Sequence, residues 1–472
     1  MSNNGYEEIA DLTAMELGRL YRLGELSPLD ATRAALARIE ACNSEVNAYC
    51  HVAEESALES AKASEQRWLK GEALGPIDGV PSSIKDLTKV AGMPIRSGSL
   101  TSTDELATED APFSARMREA GAVILGKTTT PEFGWKGVTD SRATGVTRNP
   151  WDTGKTAGGS SGGAAAAAAL NMGVLHQGSD AGGSIRIPGG FCGVFGIKPT
   201  FGYIPQWPAS AMTTLSHLGP MTRTVEDSLL MMDAVAQPDH RDWYSDRKFD
   251  GYWIDILDRP LEGLKVAYSP TLGYVNVDPG VRACVDRAVA TLIELGAEVE
   301  EVDPGFSDPL EMFSTLWFAG AGKVVSGMSE AQRDLLDPGF RAIGEQGMKI
   351  DIVDYMKAVD ARAALGIKMG EFHQQYDLLV TPTLPITAFD AGRDTTDDSQ
   401  KYWMEWTPFS YPFNLTQQPA STSPCGLVDG LPVGLQIVGA KGADALVLNA
   451  CRRLERALPM QWLSRPKAGS RG

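Results

Sequence analysis

The sequence has 472 residues, of which 43% are hydrophobic and 22% are charged, a composition typical of a globular protein with a large core. Lysine and arginine total 43 against 60 aspartate and glutamate residues, which gives a formal net charge of −17. This charge, without any basic run, excludes nucleic acid as an expected partner, because binding a polyanion needs a basic surface.

The cysteines and the amino terminus bear on the compartment. Six cysteines are spread over the chain without CxxC pairs and are predicted to be reduced and mostly buried: Cys42, Cys50, Cys192, Cys284, Cys425 and Cys451. The first stretch, MSNNGYEEIADLTAMELG, lacks the basic and apolar regions of a signal peptide, and no apolar run is long enough to span a bilayer. We therefore expect a cytoplasmic protein that does not bind membranes.

The amino-terminal segment, about residues 1–70, is predicted to be a helical layer. Thr13 and Glu16 have the spacing of a capping box before one helix, and Ser27 precedes the proline that starts the next one. These helices combine apolar stripes with polar backs, so they are expected to pack on something larger.

From residue 75 onward, short apolar runs alternate with helical stretches, in the order IDGVPSSIKD, FSARMREAG, AVILGKTTTP, a run of alanines and GVFGIKP. Later, LKVAYS (264–269), GVRACVDRAVATLIELG (280–296) and AEVEEVD (297–303) form a βαβ pattern. This alternation predicts an α/β fold whose sheet is covered by helices on both faces.

The second half of the chain returns to the sheet after an insertion. Residues 238–263 form a polar connection, and residues 309–375 are mainly helical and are predicted to be an insertion or lid. YDLLVTPTLP (376–385) and LPVGLQIVG (431–439) again have the pattern of strands. Because sheet elements lie on both sides of the helical region, we predict a single domain over residues 1–472.

Two motif matches lack the structural context that their chemistry needs. GAVILGKT (121–128) fits the P-loop expression with Lys127 and Thr128 in the phosphate-binding places, but its apolar loop positions suit a buried strand, so ATP binding is not expected. GGSSG (158–162) fits the nucleophile elbow of an α/β-hydrolase, with Ser160 as nucleophile, although the residues before it are turn-like.

An esterase of the nucleophile-elbow type needs a later histidine and stays an alternative. The histidines that follow Ser160 in the chain are His176, His217, His240 and His373. They are dispersed, and no HExxH or similar ligand spacing occurs, so neither a metal nor a cofactor is expected.

Three motifs together favour a different chemistry. GVPSSIKD places Lys85 at the end of an apolar strand, GGSSGG contains Ser160, and SDAGGSIR contains Ser184, with spacings of 75 and 24 residues. In these motifs and their order the sequence resembles the amidase signature family, which includes amidases, the amide-hydrolysing subunit of glutaminyl-tRNA amidotransferases, and fatty acid amide hydrolase. The resemblance covers nearly the whole chain, including GKTTTPEFG, FCGVFGIKPTFGYIP and GLPVGLQIVG. It implies a large mixed, twisted β-sheet covered by α-helices on both faces, and hydrolysis of a C–N amide bond.

The resemblance implies a role for each residue of the motif. Ser184 corresponds to the nucleophile, Ser160 to a bridging serine in a cis peptide, and Lys85 to the base. A lysine with its ordinary pKa of about 10.4 is almost entirely protonated at pH 7, so Lys85 is expected to be buried. Glycines on both sides of the Ser160-Ser161 pair let the neighbouring backbone follow an unusual path.

The second glycine cluster is predicted to form an oxyanion hole, since small residues let backbone N–H groups converge on a tetrahedral intermediate. The family pattern assigns this role to the N–H groups of Ala181, Gly182, Gly183 and Ser184. The resemblance also implies supporting hydrogen bonds from Asp180, Arg186 and Ser161. The alternative for Asp180 and Arg186 is an ordinary ion pair.

The expected substrate is a small-molecule amide, with water as the second reactant. The resemblance places the acyl pocket after GKTTTPEFG, where Phe133 and Trp135 are candidates, and weaker candidates elsewhere are Trp207, Trp317 and Trp406. Aromatic walls would favour an apolar or aryl amide, an anilide or a carbamate over glutamine. Ile187 stands where the amidotransferase typically has glutamine, which favours a freestanding amidohydrolase; the alternative is a glutaminase-type component of an amidotransferase complex. The oligomeric state is not predicted.

Overall fold

The computed structural model of the protein describes residues 3–246 and 248–460. Within this part of the chain there are thirteen strands: β1 Tyr49–Val52, β2 Pro81–Lys85, β3 Val123–Thr128, β4 Asp140–Ser141, β5 Gly145–Val146, β6 Leu175–Asp180, β7 Phe195–Lys198, β8 His217–Thr222, β9 Lys265–Tyr268, β10 Glu298–Glu301, β11 Leu378–Pro382, β12 Ala420–Val428 and β13 Leu431–Gly439. Strands β4 and β5 form a small hairpin, and the other eleven form one sheet.

The same residues form fifteen α-helices: α1 Asn3–Ala10, α2 Ala14–Leu23, α3 Pro28–Val46, α4 Glu54–Lys70, α5 Pro112–Glu119, α6 Gly162–Ala169, α7 Arg186–Cys192, α8 Val225–Val235, α9 Pro279–Glu294, α10 Leu310–Ser326, α11 Glu330–Arg333, α12 Pro338–Gly347, α13 Ile352–Phe372, α14 Pro412–Leu415 and α15 Asp444–Ala457. Short 3₁₀ turns lie at Glu132–Gly134, Thr213–Leu215, Trp253–Ile256 and Trp403–Trp406. In the described ranges no helix is both long and apolar enough to cross a membrane.

The large sheet is mixed. Its strand order is β1-β3-β2-β6-β8-β7-β12-β13-β11-β9-β10. Strand β2 runs parallel to β3 and β6, and β9 runs parallel to β10 and β11, whereas the remaining neighbours are antiparallel. The pairing of β7 with β12 joins the first and second halves of the chain in one sheet. The predicted βαβ unit is confirmed, because α9 connects the parallel strands β9 and β10.

Helices cover both faces of the sheet, as the alternation along its strands shows. On β11, Leu378 and Val380 belong to one hydrophobic core, whereas Leu379 between them belongs to a second core. Successive side chains of a strand point to opposite faces, so the two cores lie on opposite sides of the sheet. Helices α8, α9 and α15 contribute to the first core, and α7, α10 and α12 contribute to the second. The predicted α/β fold is confirmed.

Local sequence signals explain the helix starts. Thr13 caps α2 in the predicted capping box, with its hydroxyl accepting from the Glu16 N–H at 3.2 Å, and Ser27 caps α3. The predicted helical layer also contains the short strand β1, which pairs antiparallel with β3 and corrects the purely helical prediction. A four-residue strand is too short to give a clear alternation pattern.

Two further predictions can be compared with the structure. The P-loop-like segment forms the buried strand β3, and Lys127 pairs with Asp86 at 3.2 Å, as the apolar run predicted. Residues 309–375 are mainly helical, comprising α10 to α13. Their role as a lid stays a prediction, as does the single domain, whose residues 1, 2, 247 and 461–472 lie outside the described part.

Candidate active site

The parallel pairing of β2 and β6 creates the edge of the sheet on which the candidate residues meet. Ser83 on β2 is in register with His176 on β6, so the carboxyl ends of the two strands lie side by side. Lys85 is the last residue of β2, and Asp180 is the last residue of β6. Ser184 lies in the loop that connects β6 to α7.

Lys85 is surrounded by three serine hydroxyls. Its Nζ lies 2.7 Å from Ser160 Oγ, 2.8 Å from Ser161 Oγ and 2.9 Å from Ser179 Oγ. The Ser161 hydroxyl donates in turn to the Ser179 carbonyl oxygen at 3.1 Å, so its proton is already used. A neutral amine at this position can therefore accept a proton from Ser160 or Ser179, but not from Ser161.

The surroundings of Lys85 disfavour its charged form. The side chain is fully buried, and burial lowers the pKa of Lys85 well below its ordinary value. The negative charge of Asp180 raises this pKa, but the effect of burial is the larger one. Lys85 is thus suited to accept a proton near neutral pH.

The first glycine cluster is needed because other backbone segments pass very close to it. A Cβ on Gly159 would lie 2.4 Å from the Val138 carbonyl carbon, and one on Gly163 would lie 2.5 Å from the Ala48 oxygen. The peptide bond between Gly159 and Ser160 is cis, as predicted. Close packing against neighbouring backbone therefore explains these glycines at least as well as the path through Ser160 does.

Ser184 lies close to the same cluster. It is 3% exposed, and its carbonyl oxygen accepts from the Ser161 N–H at 3.1 Å. Within the described part of the chain its hydroxyl makes no hydrogen bond, including none to Ser160. Catalytic hydrogen bonds are often absent or long without substrate, so this geometry is compatible with the predicted proton path.

The loop before Ser184 is fixed by a buried ion pair. The Arg186 guanidinium contacts both carboxylate oxygens of Asp180 at 3.0 Å. Burial alone would raise the pKa of Asp180, but Arg186 holds it well below its usual range. The Asp180 carboxylate also accepts from the Gly183 N–H at 2.7 Å and the Ile185 N–H at 3.2 Å.

This contact corrects one predicted oxyanion donor. The Gly183 N–H points to Asp180, so in this structure it is not available to an oxyanion. Among the described residues no acceptor is found for the N–H groups of Ala181, Gly182 and Ser184. The predicted oxyanion hole is thereby reduced to these three donors.

The histidines do not support the nucleophile-elbow alternative. His176 Nδ1 lies 2.8 Å from Ser83 Oγ, and His217 Nδ1 lies 2.8 Å from the Leu215 oxygen. Burial lowers the pKa of His176 to about 4 and that of His217 well below its ordinary value. Within residues 3–246 and 248–460 no histidine hydrogen-bonds to Ser160, whose partner is the lysine.

Aromatic side chains cover the nucleophile loop. We call Phe313, Trp317, Trp403 and Tyr411 the aromatic wall. Their rings are 4.8–6.2 Å apart, and a Cβ on Gly182 would lie 2.8 Å from the Phe313 ring and 2.9 Å from the Trp403 ring. Within the described residues, the indole N–H groups of Trp317 and Trp403 lack an acceptor.

The other predicted pocket residues lie in different surroundings. Phe133 and Trp135 pack against Phe340 of α12 at 5.4 and 6.3 Å. Trp406 stacks on Phe191, and its ring lies against Gly137 as the Trp403 ring does. Trp207 instead carries the cations Lys89 and Arg241 over its ring, and it takes no part in these aromatic contacts.

The sequence analysis missed several residues that the fold brings to the site. They are Ser179, Phe313, Trp403, Ser410, Tyr411, Asn414 and Gln436. Ser179 was accessible in principle, since it precedes Asp180 in the SDAGGSIR motif. The others lie far away in sequence and carry no local pattern that points to this loop.

The described part of the chain contains no group of three or more histidine, cysteine, aspartate or glutamate side chains placed to hold a metal ion. The predictions about metals and cofactors remain predictions.

Comparison with known proteins places the chain. The family model described as Amidase matches residues 30–448. An acylamidase from Rhodococcus erythropolis is 38% identical over 97% of this chain and 98% of the relative. The A chain of the glutamyl-tRNA(Gln) amidotransferase from Moorella thermoacetica is 35% identical over 95% of this chain and 97% of the relative. The crystal structure of a bacterial aryl acylamidase of the amidase signature family superimposes with a TM-score of 0.89 at 28% identity, covering 95% of this chain and 96% of the other.

These matches extend along nearly the whole chain and agree with the mixed α/β sheet. The chain belongs to the amidase family. It is a hydrolase that acts on the C–N bond of amides other than peptide bonds.

Proposed function

We propose that the protein hydrolyses apolar or aryl amides through an acyl-enzyme on Ser184, with Ser160 as the proton relay and Lys85 as the base. The observation that carries this proposal is the fully buried Lys85 amine, which contacts Ser160 at 2.7 Å and lies at the same sheet edge as Ser184. A buried lysine with a lowered pKa can be neutral at physiological pH and can accept a proton.

Acylation and deacylation use the same groups in opposite directions. Ser184 Oγ forms a bond to the amide carbonyl carbon, and its proton passes through Ser160 to Lys85. The C–N bond breaks, and the amine leaves with the proton that Lys85 returns through Ser160. Water then forms a bond to the acyl carbon, the bond to Ser184 Oγ breaks, and the carboxylic acid leaves while Ser184 regains a proton.

The oxyanion of each tetrahedral intermediate would be held by backbone donors. We assign this role to the N–H groups of Ala181, Gly182 and Ser184, which have no acceptor among the described residues. Removing a single such donor lowers the rate by about 10²–10³-fold in other enzymes. The buried pair of Asp180 and Arg186 supports the loop and does not take part in proton transfer.

The aromatic wall supports an apolar acyl group. Phe313 and Trp403 lie directly against Gly182, so a substituent on a carbonyl bound at this loop would meet their rings. A glutamine substrate carries an ammonium and a carboxylate, which need charged partners that the wall does not provide. The indole N–H groups of the wall are donors for an acceptor on the substrate, which fits a carbamate or an anilide with a polar substituent.

We further propose that the enzyme acts as a single kind of chain in the cytoplasm. Ile187, which stands where the amidotransferase typically has glutamine, is buried, and its Cδ1 lies 2.8 Å from the position of a Cβ on Gly183. It therefore packs under the loop and offers no polar contact to a substrate. All six cysteines are free thiols, as is usual in a reducing compartment.

The test is the hydrolysis of p-nitroanilides, primary amides, aryl carbamates and glutamine by the purified chain. We expect activity on the aryl amides without a partner protein, and its loss in both Ser184→Ala and Lys85→Ala. Activity that survives in Ser184→Ala would refute the assigned nucleophile. Activity restricted to glutamine, or only in the presence of other proteins of a complex, would favour the amidotransferase alternative.

A further inference from the structure

The peptide group between Gly182 and Gly183 is held at both of its polar ends. Its N–H donates to Asp180 Oδ1 at 2.7 Å, and its carbonyl oxygen accepts from the Ser410 hydroxyl, also at 2.7 Å. Ser410 is 228 residues away in sequence and is fully buried. The orientation of this peptide plane is thus set from two sides.

These contacts close a ring of hydrogen bonds around the peptide. The Arg186 guanidinium donates to the Ser410 carbonyl oxygen at 2.8 Å and also binds Asp180. Asp180 accepts from Gly183, and Ser410 donates to Gly182, so the ring begins and ends on the same peptide group. The three side chains of the ring are fully buried, and water competes little for these bonds.

The Ser410 hydroxyl has one proton and two carbonyl oxygens within reach. The Gly182 oxygen lies at 2.7 Å and the Thr407 oxygen at 3.0 Å. The shorter contact has the usual length of an O–H···O bond, so we take Gly182 as the acceptor.

Packing at Gly183 agrees with this assignment. Gly183 has φ +125°, and a Cβ there would lie 2.5 Å from Ser410 Oγ. The backbone is therefore seated directly on the Ser410 side chain, with no space for a larger residue between them.

We propose that Ser410 is a positioning residue that orients the oxyanion loop by holding the Gly182 carbonyl. The proposal rests on the mechanism given above. The Gly182–Gly183 plane determines the direction of the N–H groups on either side of it, those of Gly182 and Ser184. Because glycine permits both signs of φ, a Gly-Gly peptide can rotate readily unless hydrogen bonds fix it.

Ser410→Ala should therefore affect the transition state more than the ground state. Deleting an oxyanion donor outright lowers the rate about 10²–10³-fold, and misorienting two donors in part is expected to lower kcat about tenfold. KM should change by less than about twofold, because the oxyanion contact forms only as the carbonyl becomes tetrahedral. The affinity for phenylboronic acid, which forms a tetrahedral adduct on Ser184, should fall by the same factor as kcat.

The matched control is Thr407→Val. Thr407 is also fully buried, and its hydroxyl donates to the Met404 carbonyl oxygen at 3.2 Å in the same segment, away from the nucleophile loop. This variant loses a comparable hydrogen bond, so we expect kcat, KM and phenylboronic acid affinity close to those of the wild type. If Ser410→Ala is not obtained in folded form, Ser410→Cys, which keeps a weaker donor, is expected to show the same pattern with a smaller factor.

The outcomes separate this inference from the proposed mechanism. An unchanged kcat in Ser410→Ala, an equal fall of kcat in Thr407→Val, or a fall of kcat without weaker phenylboronic acid binding would overturn the role of Ser410. In each of these cases an inactive Ser184→Ala leaves the mechanism standing. Full activity of Ser184→Ala would overturn the mechanism itself.

Discussion

Replacing Arg186 by methionine should strongly destabilise the protein. The guanidinium is completely buried and makes five hydrogen bonds: two to Asp180 and one each to Ser410, Asn414 and Gln436. Methionine has a similar length but no donor, so the Asp180 carboxylate would stay buried without its main counter-charge. Breaking a buried ion pair in this way costs about 3–5 kcal/mol of folding free energy.

The sign of the pH dependence follows from the pKa of Asp180. In the wild type this pKa lies below that of the unfolded chain, so the pair stabilises the fold at neutral pH, and this contribution is lost as the pH falls through about 4 and below. In Arg186→Met burial should raise the pKa of Asp180 above about 4. The penalty in the variant is then largest at neutral pH and is relieved as the pH falls through the raised pKa, by at most about 1.4 kcal/mol per pH unit.

The assay is urea unfolding followed by tryptophan fluorescence at several pH values between about 8 and about 5, the range in which a raised carboxyl pKa would titrate. Two further variants serve as controls. Asp180→Asn/Arg186→Met removes both charges and should lose the pH-dependent part of the penalty. Arg33→Met disrupts an exposed pair with Asp30 at 3.9 Å and should change stability by less than about 0.5 kcal/mol.

Two results would refute this reasoning. One is a loss of less than about 1 kcal/mol in Arg186→Met at pH 7, which would mean that the pair contributes no more than a surface pair does. The other is a penalty that grows as the pH is lowered over the same range, because protonation of a buried, unpaired Asp180 must relieve it.

Three other predictions concern the base, the packing of glycines and the substrate. Since burial keeps the pKa of Lys85 well below its ordinary value, kcat/KM should rise with pH to a plateau reached well below pH 10.5; a flat or falling profile over about pH 5–9 would contradict its role as base. Gly163→Ala, whose Cβ would meet backbone at 2.5 Å, should lose about 1–3 kcal/mol of stability, whereas Gly366→Ala in α13, with nothing within 4 Å, should gain about 0.5–1 kcal/mol in the same unfolding assay. Trp403→Ala should lower kcat/KM for a benzoyl anilide at least about tenfold more than for acetanilide, and an equal loss on both substrates would argue against an acyl-binding role.

The sequence by itself determined the chemistry of the site and the type of most elements near it. Lys85, Ser160 and Ser184 could be found because glycine-rich motifs and a buried-strand lysine are local patterns with a specific order. The buried strand at residues 123–128 followed from its apolar run, which outweighed the P-loop match. Helix starts at Thr13 and Ser27 followed from capping residues, since a cap depends on only about three or four positions.

Tertiary structure alone decided which distant residues complete the site. Ser179 reaches Lys85 because β6 pairs in parallel with β2, and strand pairing is not encoded in either strand separately. The Gly183 N–H turned to Asp180, which motif spacing could not indicate because spacing says nothing about the rotation of a peptide plane. Phe313 and Ser410 meet the same glycine loop from distant parts of the chain, and only the packing of the helices and loops against the sheet fixes such contacts.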